Sequence, residues 1–341
     1  NYAIYQDILT TSNKTHHYTL TAWIDESYIL PIKNETTTTK ETNKETYKFK
    51  VKVVGVDTPI TIEEKSSVTK GTDTLIALTN NQNESGLYTI THPKDTTLQI
   101  GNDKDIKEYR YRGASPKNYA TFNNETWRIL GVFPTDDGTG KIENRIKLVR
   151  NESIGDKFWD TNGSNNWARP ATLNTELNTT YLNSLDSTSK SMIGNTKYYL
   201  GGYNNNKLQI QKDVMYQYER KINGSTYYNG SNPNNWVGKL ALMYASDYGY
   251  AASDECTVNL YNYDNATCIN NNWLFKGNAE WMLPQVASSS LIAFGVHSDG
   301  YVSYDRVSIN PLGVRPVLYL ISSVQITGGN GTSSSPYTFE L

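Results

Sequence analysis

Tyrosine outnumbers phenylalanine 26 to 7 in this chain of 341 residues, and that ratio constrains the core more than any motif does. Tyrosine and β-branched residues, which favour strands, are prominent among the side chains available for burial. Asparagine makes up about a tenth of the chain, above its usual share. With threonine, serine and glycine it supplies abundant turn chemistry. Together these point to short strands joined by polar loops, in an all-β-leaning extracellular protein. An AT-rich genome would also inflate Asn, Lys, Tyr and Ile, and it accounts equally well for the asparagine count. Disorder is a poor alternative, because aromatics at 12% bury too much surface.

The length allows two domains, or three small ones, each with its own core. Lys and Arg total 32 against 34 Asp and Glu, so no basic surplus argues for nucleic acid or an acidic membrane as partner. No apolar run is long enough for a membrane helix. Residue 1 is Asn and no apolar signal core follows, as expected of a processed or excerpted chain. Cys256 and Cys268 are the two cysteines, in DECTVNLYNYDNATCINNNW. A zinc site needs four ligands and a redox motif needs closer spacing, so a disulfide is favoured over two thiols, outside the cytoplasm.

Four segments are expected: a β segment over 1–56, a connector over 57–105, a main domain over 106–325 and a C-terminal strand and tail over 326–341. In the first, HYTLTAWI and YKFKVKVV alternate with period two, and YAIYQDIL is a third strand. Three strands are too few for a sandwich, so upstream strands or another molecule must complete the sheet. In the main domain KEYRYRG, NYATFN, TWRILGVF and NRIKLVR read as strands, with NN and TDDGTG as hairpin turns. Leu173, Leu177, Tyr181 and Leu185 form a helical stripe, and VMYQYERKI is a second helix. Long polar loops follow, then IAFGVHSDG, YVSYDR and GVRPVLYL as closing strands.

Two resemblances follow from these stretches. HYTLTAWIDES and YKFKVKVVGV, within residues 17–56, resemble the closing strands of camelysin-type fibre proteins of Gram-positive biofilm matrices, which are extracellular jelly rolls. The front half of such a jelly roll does not occur in this chain. YRGASPKNYATFNNETWRILGVF, KLALMYASDYGYA, NNNWLF, GVRPVLYL and ITGGNGTSSSPY, within 105–337, resemble a family of uncharacterised secreted domains of gut Gram-positive bacteria with a C-type-lectin-like fold. The fold class implied is α+β leaning to all-β, a partial jelly roll followed by a C-type-lectin-like domain. The family brings no activity with it, and a shared scaffold does not specify a function.

No metal or nucleophile motif stands out. His16 and His17 flank a strand, His92 precedes Pro93, and His297 lies in the terminal hairpin. A triad drawn from His297, Asp299 and one of many serines is a coincidence of composition. GNDKDIKE lacks the spacing of a calcium loop and reads as a solvated turn. Trp127 and Trp281 alternate with apolar residues and belong in the core. Trp159, Trp167, Trp236 and Trp273 sit in polar loops, where they are candidate platforms for sugar rings, with core plugs as the alternative.

The function expected is that of a non-enzymatic bacterial surface protein, a filament subunit displaying a lectin-like domain. The alternatives are a stand-alone adhesin or carbohydrate- or protein-binding receptor with a variable C-terminal site, and a carbohydrate-active enzyme, for which no acid and base pair is evident. Expected partners are other copies through strand sharing, with YAIYQDILT as donor, and glycans or surface proteins. No cofactor or metal is expected. The candidate ligand-facing residues are Gln285, Leu291, His297, Tyr301, Tyr304, Arg306 and Asn310, between WML and GVRPVLYL, where loops carry function.

Overall fold

The chain divides into two compact units, Asn1–Ser67 and Val68–Leu341. The computed structural model describes residues 69–81 and 84–341, all in the second unit. The strands expected over 1–56, the jelly-roll resemblance, His16, His17 and the strand-sharing donor lie outside the described residues.

Antiparallel pairing dominates. Strands β1 (Gly86–His92), β2 (Ile106–Arg112), β3 (Tyr119–Phe122), β4 (Glu125–Asp136) and β5 (Ile142–Arg150) come first, followed by the short β6 (Asp156–Lys157). After a helical stretch come β7 (Thr196–Tyr199), β8 (Asn235–Gly238) and β9 (Leu240–Ala241), then β10 (Glu280–Gln285), β11 (Ile292–Val296) and β12 (Val302–Arg306). The chain closes with β13 (Leu312–Gly313), β14 (Val317–Tyr319), β15 (Gln325–Gly328) and β16 (Thr338–Glu340). A seven-stranded sheet runs β1-β2-β4-β5-β14-β9, with β3 also paired to β4. A five-stranded sheet runs β12-β11-β10-β13-β6, in which β10 and β13 are parallel.

The turn residues act as their chemistry predicts. Asn123 and Asn124 both take positive φ, 53° and 57°, the left-handed pair that a two-residue hairpin between β3 and β4 requires. In the next turn Asp136 Oδ1 accepts from the N–H groups of Gly138 and Gly140, at 2.8 and 3.1 Å. Gly131 marks an irregularity of β4 where it passes β2, and a Cβ there would sit 1.9 Å from the Tyr109 carbonyl oxygen. Only glycine allows that approach.

Helices fill the connections: α1 (Gly71–Ile76), α2 (Thr172–Glu176), α3 (Leu182–Ser184), α4 (Ser187–Met192), α5 (Lys212–Glu219), α6 (Ala245–Ala251) and α7 (Ala266–Ile269). The leucine stripe falls on α2, a π-helical turn over Leu177–Tyr181 and α3, with Leu173, Leu177 and Leu185 buried. One apolar cluster joins the two larger sheets: Trp127, Ile129 and Leu148 from the first meet Trp281, Leu283, Phe294 and Val302 from the second.

Two expected boundaries move. The connector over 57–105 supplies, in its described part, α1 and the strand β1, which pairs along its whole length with β2 from Gly86↔Arg112 to His92↔Ile106. Gly86 and Pro93, turn-forming residues at its two ends, only delimit the strand. The segment 326–341 is equally part of this unit. Tyr337 lies beside β3, its N–H donating to Tyr119 O at 2.9 Å and its carbonyl accepting from Thr121 N at 2.8 Å.

Cys256 and Cys268 form a disulfide with Cα atoms 4.8 Å apart, both residues buried. It ties the segment after α6 to α7. Replacing both cysteines by alanine should lower the unfolding free energy by about 3 kcal/mol in urea titrations. Intact mass should rise by two hydrogens on reduction, and an unchanged mass would contradict the bridge.

Candidate functional site

Strand β2, IKEYRYR, alternates so that Glu108, Arg110 and Arg112 share one face. A charged face at this spacing predicts exposure. The structure instead buries all three residues. Arg110 is the centre. Its Nη2 meets Glu108 Oε2 at 2.7 Å and its Nη1 meets Asp247 Oδ1 at 3.0 Å. Lys147 Nζ from β5 reaches Asp247 Oδ2 at 2.5 Å, and the same oxygen accepts the Tyr244 N–H at the start of α6. Arg220, just after α5, pairs with Glu219, which also accepts from Ser246 N at 2.9 Å. His92 Nε2 lies 3.1 Å from Glu108 Oε2, and its ring stacks on Tyr216 at 3.5 Å.

Three carboxylates therefore face three cations, and the balance is what makes the burial tolerable. Burial alone would push the Glu108 carboxyl up, but Arg110 and His92 outweigh it and hold it well below the usual carboxylate range. Asp247 is likewise lowered, with Lys147 and Arg110 overcoming burial. Aromatic rings complete the lining: Arg220 lies 3.6 Å from the Tyr216 centroid, and Lys147 4.6 Å from that of Tyr244. A cavity of about 20 Å³, large enough for one water, reaches this cluster between Glu108, Tyr199, Tyr216 and Tyr244. The Tyr199 hydroxyl and Thr196 Oγ1 are buried there without a protein partner.

An open groove of about 380 Å³ lies on the outer side of β1, with Asn81, Thr89, Ile90, Thr91, Arg112, Lys212 and Asp254 among its walls and Tyr88 and Tyr250 as its floor. Its size suits one small ligand. Its walls are held from behind. The Tyr88 hydroxyl donates to Tyr250 O at 3.2 Å, Arg112 lies 4.1 Å over the Tyr88 ring, and Tyr250 packs 4.8 Å from Arg110. Arg112 forms an ion pair with Asp254, whose side chain is 62% exposed at the rim. Thr89 N donates to Asn81 Oδ1 at 2.8 Å.

The residues expected from the sequence are dispersed by comparison. Gln285 is buried, and its amide is spent inside: Nε2 donates to Leu200 O, while Oε1 accepts from Asn229 N and Asn232 Nδ2, each at 2.8 Å. It is a loop anchor, not a ligand-facing group. Leu291, Tyr304, Arg306 and Asn310 are exposed along β12 and the turns beside it. Asn310 Nδ2 donates to Asp305 Oδ1. His297 and Tyr301 stack at the hairpin tip, 4.4 Å apart, with Tyr261 edge-on to Tyr301.

The tryptophan platforms are corrected. Trp159, Trp167 and Trp273 are buried. Trp159 Nε1 donates to Met282 O at 3.2 Å and Trp273 Nε1 to Tyr111 O at 2.9 Å, so each indole is anchored on a core strand. Trp236 is half-buried and packs edge-on against Trp167. The rings of Trp159, Trp167 and Trp273 therefore plug the core and offer no sugar-stacking face.

Among the described residues no group of three or more His, Cys, Asp or Glu side chains is placed to hold a metal ion. No helix among them is long and apolar enough to cross a membrane. No family model matches the chain, nor does any curated protein or solved structure.

Sequence reasoning missed both the charge cluster and the groove. A signal was present in the alternation of Glu108, Arg110 and Arg112, but only the packing of α5 and α6 shows that this face is covered. Asp247→Ala should therefore cost about 3–5 kcal/mol in urea unfolding, since it strands Lys147 and Arg110 without a counter-charge. The same change at Lys157, half-exposed in its pair with Glu176, should cost less than about 1 kcal/mol.

Burial holds Tyr198, Tyr216, Tyr244 and Tyr319 above the usual tyrosine range. The unfolded chain releases those protons near pH ~10. Their contribution is thus complete below that pH and is lost as pH rises above it. Melting temperature should fall steeply from there, with tyrosinate absorption appearing together with unfolding. Ionisation of these tyrosines at ordinary pH in the intact fold would contradict the burial argument.

Proposed function

We propose that this chain is a non-enzymatic, extracellular bacterial surface protein whose C-type-lectin-like domain binds a small polar ligand in the groove beside β1. The observation that carries this reading is the groove itself: it is open, of ligand size, has polar walls, and its tyrosine floor is backed by Arg110 and Arg112. Glycoside hydrolysis calls for two carboxyl groups flanking the bond to be cleaved. The groove lining includes one, Asp254, and Arg112 already engages it. Binding therefore fits the lining better than catalysis does. The disulfide agrees with an oxidising compartment, and the lectin-like resemblance agrees with a display role.

The hairpin is the second reading, favoured by the stacked His297 and Tyr301 at its tip and by the exposed Tyr304 and Arg306. A glycan array on the intact protein separates the two. Ile90→Trp, at a half-buried position on the groove side of β1, should abolish binding without lowering the melting temperature. Joint alanine substitution of Tyr301, Tyr304 and Arg306 should leave binding within about twofold. The opposite pattern would move the site to the hairpin.

A further inference from the structure

The charges of the groove are not balanced. Arg112 and Asp254 satisfy one another as an ion pair. Lys212, the first residue of α5, has neither an ion pair nor a hydrogen bond among the described residues, although it is only partly exposed. Its Nζ lies over the Tyr250 ring, 5.6 Å from the centroid, a cation–π contact that supplies neither a counter-charge nor a hydrogen-bond acceptor. Burial pulls the ammonium below its usual range, and Arg112 adds to this against the attraction of Asp254. A partly desolvated cation facing an open groove favours an anion there, because a charge-assisted hydrogen bond recovers the lost solvation.

The rest of the lining narrows the class. Thr89 and Thr91 present main-chain groups at the outer edge of β1, Asn81 carries a side-chain amide, and Arg112 a guanidinium stacked on Tyr88. Tyr88 and Tyr250 are buried to 7% and 6% exposure, so they give the groove a floor and no broad stacking face. The groove thus offers one unmatched positive charge surrounded by groups that donate to and accept from hydroxyls. A phosphate or sulfate dianion would be matched by several cations; a single carboxylate is matched by one.

We infer that the ligand of this groove is a carboxylated saccharide, a uronic or other sugar acid, whose carboxylate sits on Lys212 Nζ and whose hydroxyls are read by Asn81 and by the outer main-chain edge of β1. This rests on the groove being the binding site.

The test compares glucuronate with glucose, and galacturonate with galactose, by titration calorimetry on the intact protein. Each acid should bind about tenfold or more tighter than its neutral partner, the worth of one charge-assisted hydrogen bond. Lys212→Met, which keeps the apolar stem, should reduce the acid to the level of the neutral sugar at an unchanged melting temperature. Lys212→Arg serves if that variant does not fold, and it should retain the preference for acids. Raising salt should weaken the acids and leave the neutral sugars unaffected.

Neutral sugars bound as tightly as acids, in a groove that Ile90→Trp blocks, would overturn the ligand class and leave the binding site standing. Binding of acidic peptides but no sugar acid would likewise overturn it. No binding of any sugar, with Ile90→Trp silent on the array, would remove the groove as a site altogether.

Discussion

Arg110 carries the constraint on which the described unit depends. A guanidinium at the centre of a sheet face must be met by carboxylates, and they come from two places: Glu108 on its own strand and Asp247 on α6. Asp247 also accepts the Tyr244 N–H and so defines the start of α6, while Ser246 in the first turn donates to Glu219 at the end of α5. The ion pairs therefore locate both helices over β2. Apolar packing alone is non-directional and would tolerate sliding; charge pairs in a low dielectric do not. The same arrangement fixes Tyr250 and hence the floor of the groove.

A second layer of order comes from asparagine. The loop between α5 and β8 carries little apolar surface, yet it is stitched down by side-chain amides. Asn229 Nδ2 donates to Ala287 O and Asn234 Nδ2 to Ile222 O. Asn165 donates to the carbonyls of Val286, Ser289 and Ile292 from beneath the turn between β10 and β11. Loops of this length would otherwise leave backbone carbonyls unpaired against the protein. Whatever genomic bias enriches asparagine, these residues are placed where an amide closes a backbone account.

Much of the architecture was legible along the chain. Strands β2 to β5, β11, β12 and β14 lie in stretches that read as strands, the Asn123-Asn124 turn follows from its left-handed preference, and the disulfide follows from a lone cysteine pair. β1 was obscured because its seven residues lie between turn-forming neighbours in a polar stretch. The loop tryptophans misled for a related reason. Local sequence shows that a residue lies in a polar segment, but not whether the segment folds over a sheet or away from it. Trp159 and Trp273 are core residues because distant carbonyls, of Met282 and Tyr111, receive their indole N–H groups.

By itself the amino-acid sequence determined the sheet-rich class, the positions of about half the described strands, the covalent bridge and the absence of a long apolar span, because each depends on composition, on local pattern or on the chemistry of adjacent residues. Only the tertiary structure decided which faces are covered. Glu108, Arg110 and Arg112 read as a solvated face until α5 and α6 close over them. Lys212 reads as an ordinary first-turn lysine until β1 brings Thr89 and Thr91 beside it. Burial and unmatched charge are properties of neighbours remote in the chain, and neither is written in any local pattern.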